Sequence, residues 1–344
     1  SLQIVKDYIT RIEGIDPGFR TAEDREISLM KADVLGVVLE KAYTKARVPD
    51  PYEESRNFMA FVNTYGGTKQ DNRLEDLVLG IYSYMLADPD PEMWLENAVN
   101  SVDPDYTGEN SLQALGIAKS DDPGWNQRVR ELFLPAMEGL QKLLLDFHKA
   151  FRKEKEEKNV IDFSDYEHFA LEILKDESIC SALREKYRYI FIDEYQDCNL
   201  VQETIIGKIA RKNAEGYCTN VIMVGDVKQS IYRFRLADPS LFTTKYAEYG
   251  NKPDTELINL NKNFRSSTAV IDSVNDVFKV LMRKELGGID YGDAEKLYAA
   301  DHRLEEDATG KVTRFIIKEI KGAESQRAAE AERCGRDILS LVQS

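Results

Sequence analysis

The chain has 344 residues, of which 42% are hydrophobic and 31% are charged, so it can bury a sizeable core and is long enough for two or three domains. It contains no run of 18 apolar residues and no signal peptide, which argues against a membrane span and against secretion. The four cysteines and three histidines lack metal-ligand spacing and indicate neither zinc, an iron–sulfur cluster nor a disulfide framework.

The net charge of −15 argues against a nucleic-acid partner, because phosphate contacts come from Lys and Arg. The charge is unevenly distributed. Residues 1–188 carry 24 basic and 36 acidic side chains, whereas residues 208–284 carry 13 basic and 8 acidic side chains. Any nucleic-acid contact is therefore expected in the second of these stretches, while scattered acids are typical of a solvated surface.

Residues 21–180 are predicted to be mainly helical, because apolar residues recur there at helical spacing. Three sets carry this pattern: Leu29, Val34, Val37 and Val38; Leu77, Ile81, Tyr84 and Met85; and Met137, Leu140, Leu144 and Phe147. The charge run at residues 152–158 indicates a solvated helix face or loop rather than a DNA-binding tract.

An apolar run at residues 189–192 ends abruptly in Asp193 and Glu194, and Asp197 follows three residues later. Continuous apolar runs are typical of buried parallel strands, and ligands of open α/β sheets bind beyond the strand ends. Paired carboxylates at such an end suit the presentation of Mg²⁺ and water to a nucleotide phosphate. Alternatively, the acids only cap the N-terminus of the next helix. This role suits Asp197, because residues 199–211 have helical spacing.

A second strand-like run at residues 220–224 is followed by Gly225, which permits a tight exit, and by the carboxylate Asp226. The amide of Gln229 is able to hydrogen-bond both a phosphate and a water. The next segment interleaves aromatic and basic groups, the composition of a platform for single-stranded DNA, although aromatics so spaced are more often packed. Its members are Tyr232, Arg233, Phe234 and Arg235.

A third run at residues 256–266 ends in Phe264 and Arg265, directly before a helical stretch at residues 267–281. By itself, an arginine in this position is most often a surface cation. Beyond it, residues 287–310 are predicted to be a loop, residues 312–317 a strand and residues 328–342 a helix.

In this order, the segments DEYQD (193–197), VGDVKQSIYRFR (224–235) and LNKNFRS (260–266) resemble motifs II, III and IV of superfamily 1 DNA helicases of the UvrD/Rep/RecB type. The A subunit of AddAB-type ATP-dependent helicase–nucleases is most similar, as judged from residues 236–239 and from segments 15–21, 65–67, 89–95 and 161–165. The resemblance covers nearly the whole chain and is weaker past Gly287.

The resemblance implies an α/β fold with a partial RecA-like P-loop NTPase core, in which helices flank a parallel sheet, and a large, mainly α-helical 1B-like insert. The implied domains are 1–20, the trailing part of motor domain 1A; 21–180, the insert; 181–250, motor domain 1A with motifs II and III; and 251–344, the start of motor domain 2A with motif IV. The sequence lacks the Gly-x-x-x-x-Gly-Lys-[Ser/Thr] phosphate loop, the late motifs and a nuclease module. We therefore expect a fragment of a larger protein.

The resemblance also assigns the ATP site. Asp193 would hold Mg²⁺ through water, and Glu194 would orient and deprotonate the attacking water. Gln229 would link the γ-phosphate to the DNA-facing loop. From the next motor domain, Phe264 would lie on the adenine and Arg265 would contact the γ-phosphate. The implied cofactors are ATP and Mg²⁺.

For DNA, the resemblance implies that Tyr232 and Phe234 stack on bases and that Arg235 lies near the backbone or the nucleotide site. The parent protein would couple ATP hydrolysis to translocation on single-stranded DNA and to duplex unwinding. It would act in double-strand-break repair by homologous recombination in the bacterial cytoplasm, in a heterodimer with an AddB-type partner. An exonuclease would lie outside this chain, and the isolated chain would be inactive without its phosphate loop.

Two other classes of protein remain open. One is a helicase-like DNA-binding scaffold that has lost its ATPase activity, although the intact Asp193, Glu194, Gln229 and Arg265 argue against it. The other is a nuclease that binds metal directly through Asp193, Glu194 and Asp197, since adjacent carboxylates at a strand end can bind two metal ions. A separate nuclease signature is not evident in the sequence.

Overall fold

The computed structural model describes residues 1–12, 15–48, 52–66, 72–102, 127–230, 236–283, 290–293 and 295–300, together with residues 332 and 336. The chain divides into two compact units, Ser1–Leu257 and Ile258–Ser344. In the described ranges helices dominate, and each sheet consists of two parallel strands. This arrangement confirms the α/β prediction in its general form. No helix in these ranges is long and apolar enough to cross a membrane.

The described part of the first unit contains helices α1 to α10 and strands β1 to β4. The helices are α1 Leu2–Tyr8, α2 Asp24–Ala46, α3 Glu53–Tyr65, α4 Asn72–Met85, α5 Pro91–Asn100, α6 Leu134–Lys158, α7 Phe163–Ile173, α8 Glu177–Lys186, α9 Leu200–Ile209 and α10 Pro239–Glu248. The strands are β1 Arg20–Thr21, β2 Val160–Ile161, β3 Ile190–Ile192 and β4 Val221–Met223. Strand β1 pairs with β2, and β3 pairs with β4.

A first hydrophobic core lies between α2, α3, α4 and α6. In α6, Leu140, Leu144 and Phe147 are buried, as their helical spacing predicts. Helix α6 closely approaches α3 at Gly139, where an added Cβ atom would lie only 2.1 Å from the carbonyl oxygen of Asn57. Any side chain at this position would force the two helices apart.

Three of the apolar residues whose spacing predicted the helices are exposed: Leu29 and Val37 in α2 and Tyr84 in α4. The buried residues are Ile27, Met30, Leu35, Val38 and Leu39 in α2 and Leu74, Val78, Tyr82 and Met85 in α4. Both helices carry apolar residues on more than one side, so their spacing is compatible with more than one buried face. Packing against the rest of the first core decides which face is buried.

A second hydrophobic core lies between α1, α7, α8 and α9. Polar side chains define where these helices begin, because Asp162, Asp176 and Asn199 each accept a backbone N–H from the first turn of α7, α8 and α9 respectively. Helix α9 carries the chain from the end of β3 to the start of the parallel strand β4. The segment β3–α9–β4 is therefore a crossover unit of the kind from which parallel sheets are built.

The charge run at residues 152–158 forms the C-terminal end of α6. Most of its side chains are solvated and form ion pairs four residues apart, such as Arg152 with Glu156, in agreement with the prediction. The prediction is wrong for Lys155, which is only 6% exposed and ion-paired with Asp162 and Asp165. These partners lie beyond the helix, so the helical spacing gives no sign of them.

The β3–β4 sheet is covered on one face only in the described part of the chain. Phe191 is 73% exposed, and Tyr189, Ile222 and Val224 are also exposed. The continuous apolar run predicted a strand buried on both sides, as is usual in parallel sheets. The structure instead shows a two-stranded sheet with an apolar open face.

The described part of the second unit contains β5 Lys262–Asn263, β6 Tyr298–Ala299 and α11 Thr268–Leu281. The helix confirms the prediction for residues 267–281. Strand β6 pairs in parallel with β5, so the predicted loop at residues 287–310 is wrong at this point. The buried Asn275 of α11 supports this pairing, because it hydrogen-bonds both the N–H and the carbonyl of Leu297. The predicted strand at residues 312–317 lies outside the described residues, as does the predicted helix at 328–342 apart from 332 and 336.

Candidate functional site

The carboxyl ends of β3 and β4 meet at one edge of the sheet. The backbone N–H of Val224 donates to the carbonyl of Ile192 at 2.8 Å, and the N–H of Tyr195 donates to the carbonyl of Val224 at 2.9 Å. These two bonds extend the pairing beyond the strands. They place the turn that follows β3 beside the turn that follows β4, so the acidic pair Asp193 and Glu194 lies at a strand end, as the sequence predicts.

Glu194 has a left-handed backbone, with φ 50° and ψ 44°, a conformation that residues other than glycine seldom adopt. Its N–H donates to Oδ1 of Asp193 at 3.0 Å. Both side chains are exposed. The strained backbone turns the two carboxylates outward at the strand end, where a ligand can reach them.

Gln196 lies beneath this turn with only 1% of its surface exposed. Its Nε2 donates to Oε2 of Glu194 at 2.7 Å, and its Oε1 accepts the N–H of Asp226 at 2.9 Å. The amide therefore bridges the two strand ends. Sequence analysis missed Gln196, because a single glutamine in an acidic turn has no pattern that indicates burial.

Gly225 is needed for close packing against this amide. A Cβ atom added to Gly225 would lie 2.5 Å from Oε1 of Gln196 and 3.1 Å from the nitrogen of Tyr195. The sequence predicted a conformational role, a tight exit from the strand. The structure gives a steric reason instead, since the backbone of Gly225 is in contact with the buried glutamine.

Asp226 organises the turn that carries Gln229. One oxygen of Asp226 accepts the N–H of Lys228 at 3.0 Å and pairs with its ammonium group at 2.8 Å. The other oxygen accepts Nε2 of Gln229 at 3.2 Å. Gln229 is exposed at the end of a short 3₁₀ turn, Val227–Gln229. Its amide is thus held close to the strand ends and open to a ligand.

Tyr195 anchors the acidic turn on its other side. The ring is buried, and its hydroxyl donates to Oε2 of Glu203 in α9 at 2.6 Å. Lys245 of α10 pairs with Oε1 of the same carboxylate at 2.7 Å. Burial, together with the bond to Glu203, strongly raises the pKa of Tyr195. The hydroxyl therefore stays protonated and remains a donor at neutral pH.

The role suggested for Asp197 as a helix cap is wrong. Helix α9 begins at Leu200, and Asn199 caps it by accepting the N–H of Gln202 at 2.8 Å. Asp197 lies too far upstream to reach the first turn. Its Oδ1 is buried and has no hydrogen-bond partner among the described residues, and burial, followed by the charge of Glu194, raises the pKa of the carboxyl.

Within the described ranges, no group of three or more His, Cys, Asp or Glu side chains is arranged to hold a metal ion. Asp193, Glu194 and Asp197 therefore do not form the cluster that the nuclease alternative requires. A single carboxylate such as Asp193 remains available to an ion whose other ligands are water and phosphate oxygens.

The other predicted site residues lie elsewhere in the chain. Phe264 is exposed and follows β5 together with Arg265. Oδ1 of Asn263 accepts the N–H groups of Arg265 and Ser266, each at 2.9 Å, which fixes the turn before α11. The predicted DNA-contacting residues Tyr232, Phe234 and Arg235 lie outside the described residues.

Comparison with known proteins identifies the class. The model of the UvrD/REP helicase N-terminal domain matches residues 1–250. The chain belongs to this family of helicases, which confirms the resemblance found in its motifs.

The chain is also similar to three bacterial proteins that are named as the A subunit of an ATP-dependent helicase/nuclease. The protein from Alkaliphilus oremlandii is 31% identical over 86% of this chain and 32% of its own length. The protein from Clostridium kluyveri is 31% identical over 99% of this chain and 36% of its own length. The protein from Clostridium novyi is 29% identical over 96% of this chain and 35% of its own length. The chain thus spans about a third of the length of the curated relatives it matches.

Proposed function

We propose that this chain is part of the A subunit of an ATP-dependent DNA helicase/nuclease and carries the acidic half of its ATP site. The observation that supports this most strongly is the joined end of β3 and β4. There, exposed carboxylates on Asp193 and Glu194 lie in a turn that is linked through Gln196 to the turn bearing Gln229. Such an edge is where open α/β sheets bind their ligands.

The donor set fits Mg²⁺ and a nucleotide. Mg²⁺ prefers oxygen ligands, keeps several waters and commonly binds proteins through one or two carboxylates plus substrate phosphates. Asp193 provides such a carboxylate, and its Oδ1 accepts a bond only from the neighbouring N–H of Glu194 among the described hydrogen bonds. When bound, Mg²⁺ would neutralise charge on the phosphate oxygens.

The remaining roles follow the family motifs. Glu194 orients and deprotonates the attacking water. Gln229 contacts the γ-phosphate and links it to the DNA-facing loop. Phe264 lies on the adenine and Arg265 contacts the γ-phosphate. The exposure of Glu194, Gln229 and Phe264 supports these roles, since each side chain is accessible to a ligand.

The domain boundaries at residues 20, 180 and 250 remain part of the proposal, as do the RecA-like core and the 1B-like insert. The existence of a helical insert is supported by the two separate hydrophobic cores, although these cores divide near residue 160 rather than 180, because Ile161 and the helix α7 pack in the second core. One core consists of helices between Ala22 and Val160, and the other combines α1 with helices that flank the β3–β4 crossover. A helical insertion into an α/β motor domain would produce this division.

The parent protein would use this site to translocate on single-stranded DNA and unwind double-stranded DNA, with Tyr232, Phe234 and Arg235 at the DNA strand. The names of the relatives support a heterodimer with a second, AddB-type partner and a nuclease activity in the same protein. A role in double-strand-break repair by homologous recombination in the bacterial cytoplasm completes the proposal.

The isolated 344-residue chain is expected not to hydrolyse ATP. Its sequence contains no phosphate loop, whose lysine and backbone N–H groups cradle the phosphates and stabilise the transition state. DNA-stimulated ATP hydrolysis by the pure chain would contradict this expectation.

The function is tested with Glu194→Gln in the proposed parent protein, a longer protein that would include a phosphate loop. The amide preserves size but cannot accept the proton of the attacking water, so hydrolysis should fall to a small residual rate while ATP binding is retained. The control is Glu185→Gln, which alters an exposed glutamate of α8 away from the strand ends. ATP turnover near the normal rate in Glu194→Gln would remove Glu194 from the catalytic role, and absence of ATP binding by the unaltered protein would favour the scaffold.

A further inference from the structure

We propose that Gln196 is a positioning residue that holds the Glu194 carboxylate in place and couples it to the turn bearing Gln229. This inference rests on the proposed function, because it assigns a role to a residue that supports the proposed general base. Gln196 itself is buried and does not reach a ligand.

The two hydrogen bonds of Gln196 require a primary amide. Glu194 offers a carboxylate that needs a donor, and Asp226 offers an N–H that needs an acceptor. A carboxylate at position 196 would satisfy Asp226 but repel Glu194, and an apolar side chain would satisfy neither. The two partners also fix the orientation of the amide, because a flipped side chain would turn its NH₂ group toward the Asp226 N–H.

The surrounding backbone fits the glutamine closely. The glycine at position 225 leaves room for Oε1, which would lie 2.5 Å from a Cβ atom there. The neighbouring N–H of Tyr195 is bonded to Val224, and the hydroxyl of Tyr195 is held by Glu203. The amide therefore has little freedom to move away from Glu194.

Glu194 needs this support because its side chain is exposed and the turn leaves it few other contacts. Among the described hydrogen bonds of its carboxylate, the one from Gln196 is the only one. A long, solvated carboxylate without this bond would sample several rotamers. A general base that spends less time within reach of the attacking water catalyses more slowly, and misplacement by about 1 Å can cost roughly 10²-fold in rate.

The same amide connects the base to the nucleotide-sensing turn. Gln229 donates to the Asp226 carboxylate at 3.2 Å, the N–H of Asp226 donates to Gln196 at 2.9 Å, and Gln196 donates to Glu194 at 2.7 Å. A movement of Gln229 against the γ-phosphate would shift Asp226 and, through Gln196, the base. Gln196 thereby makes the position of the base depend on the state of the Gln229 turn.

The test uses Gln196→Met in the longer protein that includes a phosphate loop. Methionine has a similar volume but makes neither hydrogen bond. We expect kcat for DNA-stimulated ATP hydrolysis to fall about 10- to 100-fold, while the dissociation constant of ATP changes less than about threefold. Gln196→Asn is the second variant, because it keeps an amide that is one methylene too short to reach both partners. In this variant too, kcat should fall while the dissociation constant of ATP stays nearly unchanged.

A double-mutant cycle separates positioning from a general loss of structure. If Gln196 acts through Glu194, adding Gln196→Met to Glu194→Gln should lower the small residual rate less than about twofold. Multiplicative losses, a parallel loss of ATP affinity in both single variants, or normal kcat in either folded variant would each overturn the inference. Hydrolysis that survives Glu194→Gln would instead contradict the proposed function.

Discussion

The ammonium group of Lys155, at the end of α6, lies 2.6 Å from both carboxylate oxygens of Asp165 in α7. It also lies 3.2 Å from Asp162, the capping residue of α7, and 4.6 Å from the centre of the Phe151 ring. All of these groups are buried or nearly so. The ion pairs connect the last turn of α6 in the first core to the first turn of α7 in the second core.

Lys155→Met should destabilise the protein by about 3–5 kcal/mol, because it leaves two buried carboxylates without their cation. The measurement is the free energy of unfolding from urea denaturation. Lys153→Met on the same helix is the matched control. Lys153 is exposed and pairs with Glu157 at 3.4 Å, so its loss should cost less than about 1 kcal/mol. Equal effects of the two substitutions would show that the buried cluster does not stabilise the fold.

A second prediction concerns the partly buried His148 of α6, whose Nδ1 lies 2.9 Å from the hydroxyl of Tyr82. Burial, with a smaller effect of the Lys155 charge, lowers the pKa of His148 to about 4. In the unfolded chain the imidazole takes up a proton near its ordinary pKa of about 6.5. The folded state is therefore favoured above that pH, and roughly 3 kcal/mol of stability should be lost as the pH falls from about 6.5 to about 4.

This loss is measured as the free energy of unfolding across that pH range. His148→Asn keeps an acceptor for the Tyr82 hydroxyl but does not titrate, so its stability should fall less steeply. Tyr82→Phe is the control, because it removes the hydroxyl and leaves the partly buried imidazole of His148. Identical slopes for the unaltered protein and His148→Asn would show that His148 does not cause the pH dependence.

These buried polar groups mark the limit of what the sequence predicts. Local periodicity and composition predict three features that the structure contains: the acidic residues at the end of β3, the helix at residues 267–281 and the buried face of α6. The burial of Lys155 and Gln196 cannot be recognised in the sequence, because the partners of each side chain come close to it only in the tertiary structure. For Gln196, the Asp226 N–H is 30 residues away in the chain. Local patterns cannot supply such pairings.

The helix faces in α2 and α4 show a related limit. A periodic apolar pattern predicts that a helix forms, but a helix with apolar residues on several sides can bury more than one of them. In α4, Tyr82 is buried and Tyr84 is exposed, and the hydroxyl of the buried Tyr82 is hydrogen-bonded to His148. The face of α4 that is buried thus depends partly on a hydrogen-bond partner for the tyrosine hydroxyl, and that partner lies in another helix.

A third prediction concerns Arg265, which we propose contacts the γ-phosphate. A guanidinium presents a planar fork to phosphate oxygens, whereas the lysine ammonium is a point charge. Arg265→Lys in the longer protein should therefore lower the rate of ATP hydrolysis strongly, by up to roughly 10³–10⁵-fold if it acts as an arginine finger, although the charge is kept. Arg283→Lys, which alters an exposed arginine after α11, is the control and should have no effect. If lysine at position 265 supports nearly normal turnover, Arg265 is an ordinary surface cation.

The last prediction separates base stacking from phosphate contacts in the sequence segment 232–235. An aromatic ring that stacks on a base contributes about 1–3 kcal/mol regardless of base sequence. A phosphate contact releases counterions, so its loss reduces the dependence of log K on log salt by about one unit. Tyr232→Ala and Phe234→Ala in the longer protein should thus weaken single-strand binding and uncouple ATP hydrolysis from DNA, with an unchanged salt slope.

Arg235→Ala provides the comparison, because loss of a backbone contact should flatten the salt slope while a role at the nucleotide would leave it unchanged. The measurement is single-strand affinity at several salt concentrations for each variant. We expect the larger loss from Phe234→Ala, since a tyrosine is as readily held in a core through its hydroxyl as stacked on a base. Unchanged affinity in both aromatic variants would mean that the two rings are packed within the protein. The DNA path would then have to be sought among the other basic side chains of residues 208–284.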